Sequence, residues 1–172
     1  MTPFLFGKLP AHGDFVARGV AAEVRAALDD WLSASLAAAQ ATDGFDDAYE
    51  RAPPWRGVWR DGESWACGAL AASVDAVGRR FPILLGARGL ADGAVEGAAA
   101  TLEGLLYQAL ADGWDADALL AAAADMTVSP EPAEPRERWW TVAADGSTAG
   151  ELAGARPAGL MTAMLAMGRE LA

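Results

Sequence analysis

The chain has 172 residues, of which 53% are hydrophobic, and its mean hydropathy of +0.14 is too high for a chain that is disordered over most of its length. This length predicts one domain, residues 1–172, with a sizeable core. A net charge of −11 disfavours nucleic acids and anionic membrane surfaces as partners, because both repel an acidic protein. The sequence shows no signal peptide and no apolar run near the ~20 residues of a membrane helix. We therefore expect a cytoplasmic protein without membrane insertion.

The first half of the chain predicts a strand, a loop and a long helix. Residues 4–8 have the pattern of a short opening strand, and Pro10 and Gly13 mark a turn-rich loop behind it. Apolar side chains at helical spacing predict a helix over residues 20–40, with Trp31 on its buried stripe. The acidic residues 43–50 that follow predict an irregular segment.

Three strands are predicted next. Residues 55–60 and 64–73 flank the turn pair Asp61-Gly62, which predicts an antiparallel hairpin, and residues 81–88 form a strand that pairs nearby. The single cysteine, Cys67, lies inside the apolar run of the second strand. It cannot form an internal disulfide, and its surroundings predict a small buried hydrophobic residue rather than a reactive thiol.

The second half of the chain predicts three helices and two strands. Asp92 is a candidate N-cap for a helix over residues 95–110, and Asp115 or Asp117 caps a further helix over residues 115–125. The Pro-rich residues 127–137 predict a mobile loop. Strands at 138–144 and 147–152 precede a last helix, for which Pro157 occupies the first turn and whose buried side includes Leu171.

This order of elements predicts an α/β fold. Strands come in clusters, one helix follows the first of them and the other helices come later. The connections are too irregular for a doubly wound parallel sheet. We therefore expect a three-layer α/β/α sandwich with a mixed, largely antiparallel sheet.

Two polar segments stand out against this apolar background. The first polar segment comprises residues 7–15 and the second comprises residues 73–82, and each lies beside a predicted buried strand. Arg79 and Arg80 cannot both be core residues, so one of them pairs with Asp75 or with Asp14. We predict a structural ion pair between Asp14 and Arg79, buried by the neighbouring aromatic residues, and we expect the two segments to lie close together. The candidate partner-binding residues are Gly7, Lys8, Pro10, His12, Gly13, Asp14, Phe15, Trp31, Trp55, Ser73, Asp75, Gly78, Arg79, Arg80, Phe81 and Pro82.

Candidates for catalysis or metal binding are weaker. His12 is the only histidine and, with Asp14, could form half of a metal site or an acid–base pair. A zinc site would need further ligands, and the spacing of Cys67 and Asp75 matches no zinc pattern. A triad of Ser73, His12 and Asp75 lacks a nucleophile elbow, and Gly7-Lys8 lacks the other residues of a phosphate loop. We therefore predict no catalytic, cofactor-binding or metal-binding residue, and favour a solvated or hydrogen-bonded loop histidine.

Seven tryptophans leave two interpretations open. Tryptophan is usually buried, so core packing is the simpler explanation. Tryptophan is also enriched at protein interfaces, so a partner-binding patch is the other. Trp55 and Trp59 are expected on one face of their strand, and Trp139 and Trp140 on opposite faces of theirs.

The order of these motifs resembles the TagF family, also called ImpM, of proteins associated with bacterial type VI secretion. The resemblance is carried by residues 6–16, 30–32, 54–56 and 73–82, in that order. It implies an α/β/α sandwich without a known active site or cofactor. It also implies a cytoplasmic, post-translational repressor that engages a forkhead-associated scaffold protein of the secretion apparatus, in a family whose domain is sometimes fused to a protein phosphatase.

Two other functions remain as alternatives to this regulatory binding protein. One is a small hydrolase or metal-dependent enzyme with a cleft around His12, Asp14 and Asp75. The other is a binding protein that uses the Pro-rich residues 127–137, with the two polar segments serving only the fold. Replacement of His12 and deletion of the Pro-rich residues would distinguish these alternatives.

Overall fold

The computed structural model describes residues 1–170 and contains one seven-stranded sheet and five α-helices within that range. The helices are α1 (Ala22–Gln40), α2 (Phe45–Arg51), α3 (Val95–Asp112), α4 (Ala116–Ala124) and α5 (Leu160–Glu170). The strands are β1 (Thr2–Gly7), β2 (Val16–Arg18), β3 (Trp55–Asp61), β4 (Ser64–Ala71), β5 (Ile83–Leu90), β6 (Arg138–Val142) and β7 (Thr148–Ala153). None of the helices in this range is long and apolar enough to cross a bilayer.

The strand order in the sheet is β2-β1-β5-β4-β3-β6-β7, and all neighbouring strands are antiparallel. β1 pairs with β5, so that Gly7 at the end of β1 lies opposite Ile83 at the start of β5. This register brings the chain that leaves β1 next to the chain that enters β5. The two polar segments therefore emerge from the same end of the sheet.

Helices cover both faces of the sheet. On one face, α3 and α4 pack on alternate side chains of the strands, and on the other face α1, α2 and α5 do the same. In β1, Leu5 points to the first face, and Phe4 and Phe6 point to the second. β4 is buried along nearly its whole length because it is the central strand. The predicted three-layer α/β/α sandwich is confirmed.

Some local predictions were wrong. Residues 43–50, predicted to be irregular, contain most of α2, which follows Gly44 in the left-handed conformation (φ 68°). The short strand β2 was not predicted. Asp92 does not cap α3; its carboxylate accepts a hydrogen bond from the indole N–H of Trp65 (2.8 Å).

Other local predictions were closer. Asp115 caps α4 by accepting from the N–H of Ala118 (2.8 Å). Pro157 lies just before α5 rather than in its first turn, and Leu171 is outside the described residues. The Pro-rich residues 127–137 form neither helix nor strand, and the N–H of Glu131 donates to the carbonyl of Gly93 (2.8 Å). The mobility of this loop stays a prediction.

Candidate functional site

The two polar segments meet at one end of the sheet. The rings of Phe15 and Phe81 contact each other edge to face, with their centroids 4.7 Å apart. The N–H of Ala76 donates to the carbonyl of His12 (2.8 Å), which joins the two backbones directly. Gly7 makes this approach possible, since its φ of 135° suits only glycine and a Cβ there would collide with the backbone of Pro82.

Asp75 is the centre of this junction. Its carboxylate is fully buried, and each of its two oxygens accepts two hydrogen bonds. Oδ2 accepts from Nζ of Lys8 (3.0 Å) and from Nε of Arg79 (2.6 Å). Oδ1 accepts from the backbone N–H groups of Val77 (3.1 Å) and Arg79 (2.9 Å). We call Lys8, Asp75 and Arg79 the Asp75 cluster; it ties the first polar segment to the second.

The surroundings of Asp75 stabilise its ionised form. Burial by itself would raise the pKa of this carboxyl. The hydrogen bonds from the Arg79 backbone, the Lys8 ammonium, the Arg79 guanidinium and the Val77 backbone outweigh burial, and they hold the pKa of Asp75 well below its usual range. A carboxylate engaged in this way has no free lone pair for acid–base work, and it serves to fix the turn.

The predicted ion pair between Asp14 and Arg79 was wrong. Arg79 pairs with Asp75, and its Nη2 donates to the carbonyl of Gly13 (2.7 Å). Asp14 is exposed, and its carboxylate accepts from the backbone N–H of Phe15 (2.7 Å). Arg79 thus does bridge the two segments, but it does so through a backbone carbonyl. The sequence could not show that Lys8 would turn inward and share the buried carboxylate.

Helix α2 supports the second polar segment from behind. Arg80 forms ion pairs with Asp46 (3.0 Å) and Glu50 (3.4 Å) of this helix. The buried hydroxyl of Tyr49 donates to the carbonyl of Ser73 (2.9 Å) and accepts from the N–H of Ser73 (3.1 Å). Burial raises the pKa of Tyr49, so the phenol stays protonated and able to donate. Sequence reasoning missed these contacts because it did not predict α2.

His12 has a structural role. Its Nε2 accepts a hydrogen bond from the N–H of Ala116 (3.0 Å), the first residue of α4. The prediction of a hydrogen-bonded loop histidine agrees with this geometry. Among the hydrogen bonds of residues 1–170, none joins His12 to Ser73 or to Asp75, and Ser73 Oγ donates only weakly to the carbonyl of Val74 (3.5 Å). The enzyme alternative is therefore not favoured.

In residues 1–170, no three His, Cys, Asp or Glu side chains are arranged so that they could hold a metal ion. Cys67 is buried, and burial raises the pKa of its thiol to about 12. The thiol is therefore protonated at neutral pH, as expected for a core residue.

The outer side of the junction presents an exposed surface. Val77 is 72% exposed and Phe15 is 42% exposed, so each segment presents one apolar residue to solvent. The Arg79 side chain beside them is 57% exposed. We call Phe15, Val77 and Arg79, with the neighbouring Pro10 and Asp14, the two-loop surface. Lys8 and Asp75, the buried members of the Asp75 cluster, lie beneath this surface, and Arg79 belongs to both.

Two predicted partner-binding residues do not belong to this surface. Trp55 is buried (1% exposed), and Trp31 is partly buried against Trp139 with 5.5 Å between ring centroids. As predicted, Trp55 and Trp59 lie on one face of their strand, and Trp139 and Trp140 lie on opposite faces of theirs. For these tryptophans the core-packing interpretation agrees with the structure.

This chain is similar to known proteins in both sequence and fold. A family model described as "TagF N-terminal domain, Type VI secretion system-associated" matches residues 5–126. The fold is similar to the crystal structure of PA0076 from Pseudomonas aeruginosa PAO1, with a TM-score of 0.72 and 22% sequence identity over 95% of this chain and 94% of that chain. No curated protein matches the sequence. The family match covers both polar segments and the helix that His12 caps.

Proposed function

We propose that this chain, which belongs to the TagF family of proteins associated with type VI secretion, regulates secretion by binding a protein of the apparatus through the two-loop surface. The proposed partner is a forkhead-associated scaffold protein, and the proposed outcome is post-translational repression in the cytoplasm. The observation that carries the proposal is an exposed surface whose two loops are joined through the buried carboxylate of Asp75.

Rigidity supports a binding role. Fixing a loop before binding reduces the conformational entropy that association would otherwise cost. Here an ion cluster, an aromatic contact and a backbone hydrogen bond fix two loops relative to each other. Such extensive support is not needed for a solvated turn, and it leaves apolar Val77 exposed at the tip.

The chemistry of the exposed side chains also suits a protein partner. Phe15 and Val77 offer apolar contact area, and Arg79 offers hydrogen bonds through the part of its guanidinium that Asp75 and the Gly13 carbonyl leave free. Aromatic and arginine side chains are enriched among residues that dominate binding energy. The acidic face of α1 around Asp29 and Asp30 would add electrostatic steering towards a basic partner.

The experiment compares two exposed apolar positions. Val77→Asp places a charge at the tip of the two-loop surface, and Tyr107→Asp does the same on α3, where Tyr107 is 68% exposed. We expect Val77→Asp to weaken binding to the purified forkhead-associated scaffold protein by roughly 30-fold or more, as loss of a hot-spot contact does. Tyr107→Asp should bind within about twofold of the wild type. Calorimetry or biolayer interferometry measures both.

The opposite pattern would contradict the proposal. If Tyr107→Asp abolished binding while Val77→Asp left it intact, the partner would use α3 instead of the two-loop surface. Deletion of residues 127–137 tests the Pro-rich loop in the same assay, and the proposal expects near-normal affinity. Secretion measured in cells that carry each variant shows whether binding represses the apparatus.

A further inference from the structure

A small aromatic pocket lies at the opposite end of the sheet from the two-loop surface. It has a volume of about 60 Å³, and residues of α1 and of the segment before α5 contribute to its lining. Its aromatic lining residues are Trp31, Trp59, Trp139 and Phe4. Its position follows from the register, because Arg88 at its edge pairs with Thr2 at the far end of β1 from Gly7.

The aromatic walls of the pocket are held rigidly. The rings of Trp59 and Trp139 stack with centroids 5.6 Å apart, and Phe4 meets Trp59 edge to face at 6.4 Å. Trp139 lies directly over Gly57, where an added Cβ would come within 2.6 Å of the indole ring. Glycine in β3 therefore creates the space for the tryptophan that forms one wall.

Two of these tryptophans also fix an arginine at the rim. The indole N–H of Trp31 donates to the carbonyl of Pro157 (3.1 Å), and that of Trp139 donates to the carbonyl of Ala155 (2.9 Å). Arg156 lies between these two carbonyls and lines the pocket with an exposed side chain. The backbone that carries this guanidinium is thus anchored on both sides.

The rim is positive although the protein as a whole is acidic. Arg88 and Arg156 both line the pocket, and among residues 1–170 neither forms an ion pair with a carboxylate. Arg88 donates to the carbonyl of Gly19 (3.3 Å), which holds it in place. Asp61 also lines the pocket and offsets one of the two positive charges. Of the thirteen arginines and lysines, seven form carboxylate ion pairs within residues 1–170, and Arg88 and Arg156 are two of the six that do not.

We propose that this pocket binds an aliphatic side chain of a partner protein whose neighbouring residue carries a carboxylate. The volume accommodates several methyl or methylene groups and is too small for an aromatic ring. Apolar Val24, which is 37% exposed at the rim, extends the apolar contact. The carboxylate then accepts charge-assisted hydrogen bonds from Arg156 and Arg88.

This inference goes beyond the proposed function, because the pocket and the two-loop surface lie at opposite ends of the sheet and are tested independently. The probes are three capped tripeptides, Asp-Leu-Asp, Asn-Leu-Asn and Asp-Ala-Asp, titrated at about 0.15 M salt to screen the overall charge of the protein. The readout is the indole N–H signals of Trp31, Trp59 and Trp139 in a heteronuclear NMR spectrum. Folding of each variant is verified from the dispersion of the other signals.

The expected result is a saturable shift of these indole signals with Asp-Leu-Asp. Both Asn-Leu-Asn and Asp-Ala-Asp should bind at least roughly threefold more weakly, since each lacks one of the two contacts. Arg156→Gln should weaken Asp-Leu-Asp by roughly three- to tenfold. Arg51→Gln, an exposed arginine at the end of α2, is the matched control and should leave binding unchanged.

Three outcomes would overturn the proposal. They are no saturable shift of the indole signals with Asp-Leu-Asp, equal binding of the charged and uncharged leucine peptides, and an unchanged affinity in Arg156→Gln. None of these outcomes bears on Val77 or on the scaffold protein, so failure here and failure of the proposed function remain distinguishable.

Discussion

At the scale of single residues, Asp75 decides how the two loops are joined. A buried charge is costly unless it is paired and hydrogen-bonded. Both oxygens of Asp75 are occupied, and one of the donors is the buried ammonium of Lys8. Removing the carboxylate would leave that ammonium buried without its counter-charge. The residue therefore acts on stability and on loop geometry together.

We predict that Asp75→Asn destabilises the fold in a pH-dependent way. The pKa of Asp75 is lowered in the folded state from an unfolded value near 3.8, so the unfolded chain takes up the proton first as pH falls. Its stabilising contribution is thus complete above about pH 4 and declines below it. Urea unfolding of the wild type and of Asp75→Asn should show a constant difference from pH 7 to pH 5 and a shrinking one below pH 4.

The matched control for this measurement is Asp14→Asn. Asp14 is an exposed carboxylate of the first polar segment and lies outside the Asp75 cluster. Its replacement should change the free energy of unfolding at neutral pH by less than about 0.5 kcal/mol. A larger loss in Asp14→Asn than in Asp75→Asn would show that the buried cluster is not what joins the loops.

At the scale of elements, the first polar segment is attached to α4 as well as to the second segment. α4 begins with two acceptors for its free backbone N–H groups. Asp115 accepts from Ala118, and His12 accepts from Ala116 across 104 positions of the sequence. The cap by Asp115 could be predicted from the sequence because Asp115 directly precedes the helix, whereas the acceptor His12 could not.

We predict that His12→Ala loosens the start of α4 and leaves the partner-binding surface largely intact. Loss of the acceptor should cost about 1 kcal/mol, as helix caps usually do. Hydrogen exchange at the Ala116 amide should become faster, whereas affinity for the scaffold protein should stay within about threefold. Asp115→Ala is the control, because it should speed exchange at Ala118 instead. Unchanged protection at Ala116 would refute this role of His12.

Elements with strong local patterns could be predicted from the sequence, and the others could not. The periodicity of residues 20–40 predicted α1 nearly correctly, and the Asp61-Gly62 turn did the same for the β3–β4 hairpin. α2 has only seven residues and is rich in acids, and it is stabilised by packing on α5, more than 100 residues later. The polar segments could be recognised in the sequence. The side chains that donate hydrogen bonds to Asp75 could not, because they are brought together by tertiary packing and not by a local sequence pattern.

At the scale of the whole molecule, a single sheet separates two hydrophobic clusters. One cluster lies beneath α3 and α4, and the other lies beneath α1, α2 and α5. Leu106 of α3 and Leu32 of α1 are completely buried, one on each side. The strands between them contribute alternate side chains to both clusters, so we expect the two sides to unfold together.

We predict that core substitutions on opposite faces act additively. Leu32→Val and Leu106→Val should each lower the free energy of unfolding by roughly 1 to 2 kcal/mol, since each removes one buried methylene and leaves a small cavity. The double variant should equal the sum within about 0.5 kcal/mol, because residues without shared contacts are usually independent. Denaturant unfolding followed by tryptophan fluorescence measures all three variants. The control pair is Leu32→Val with Leu28→Val, because these two residues lie on one face of the sheet and their substitutions are expected to be coupled. Equal coupling in both pairs would mean that the sheet transmits packing changes between its faces.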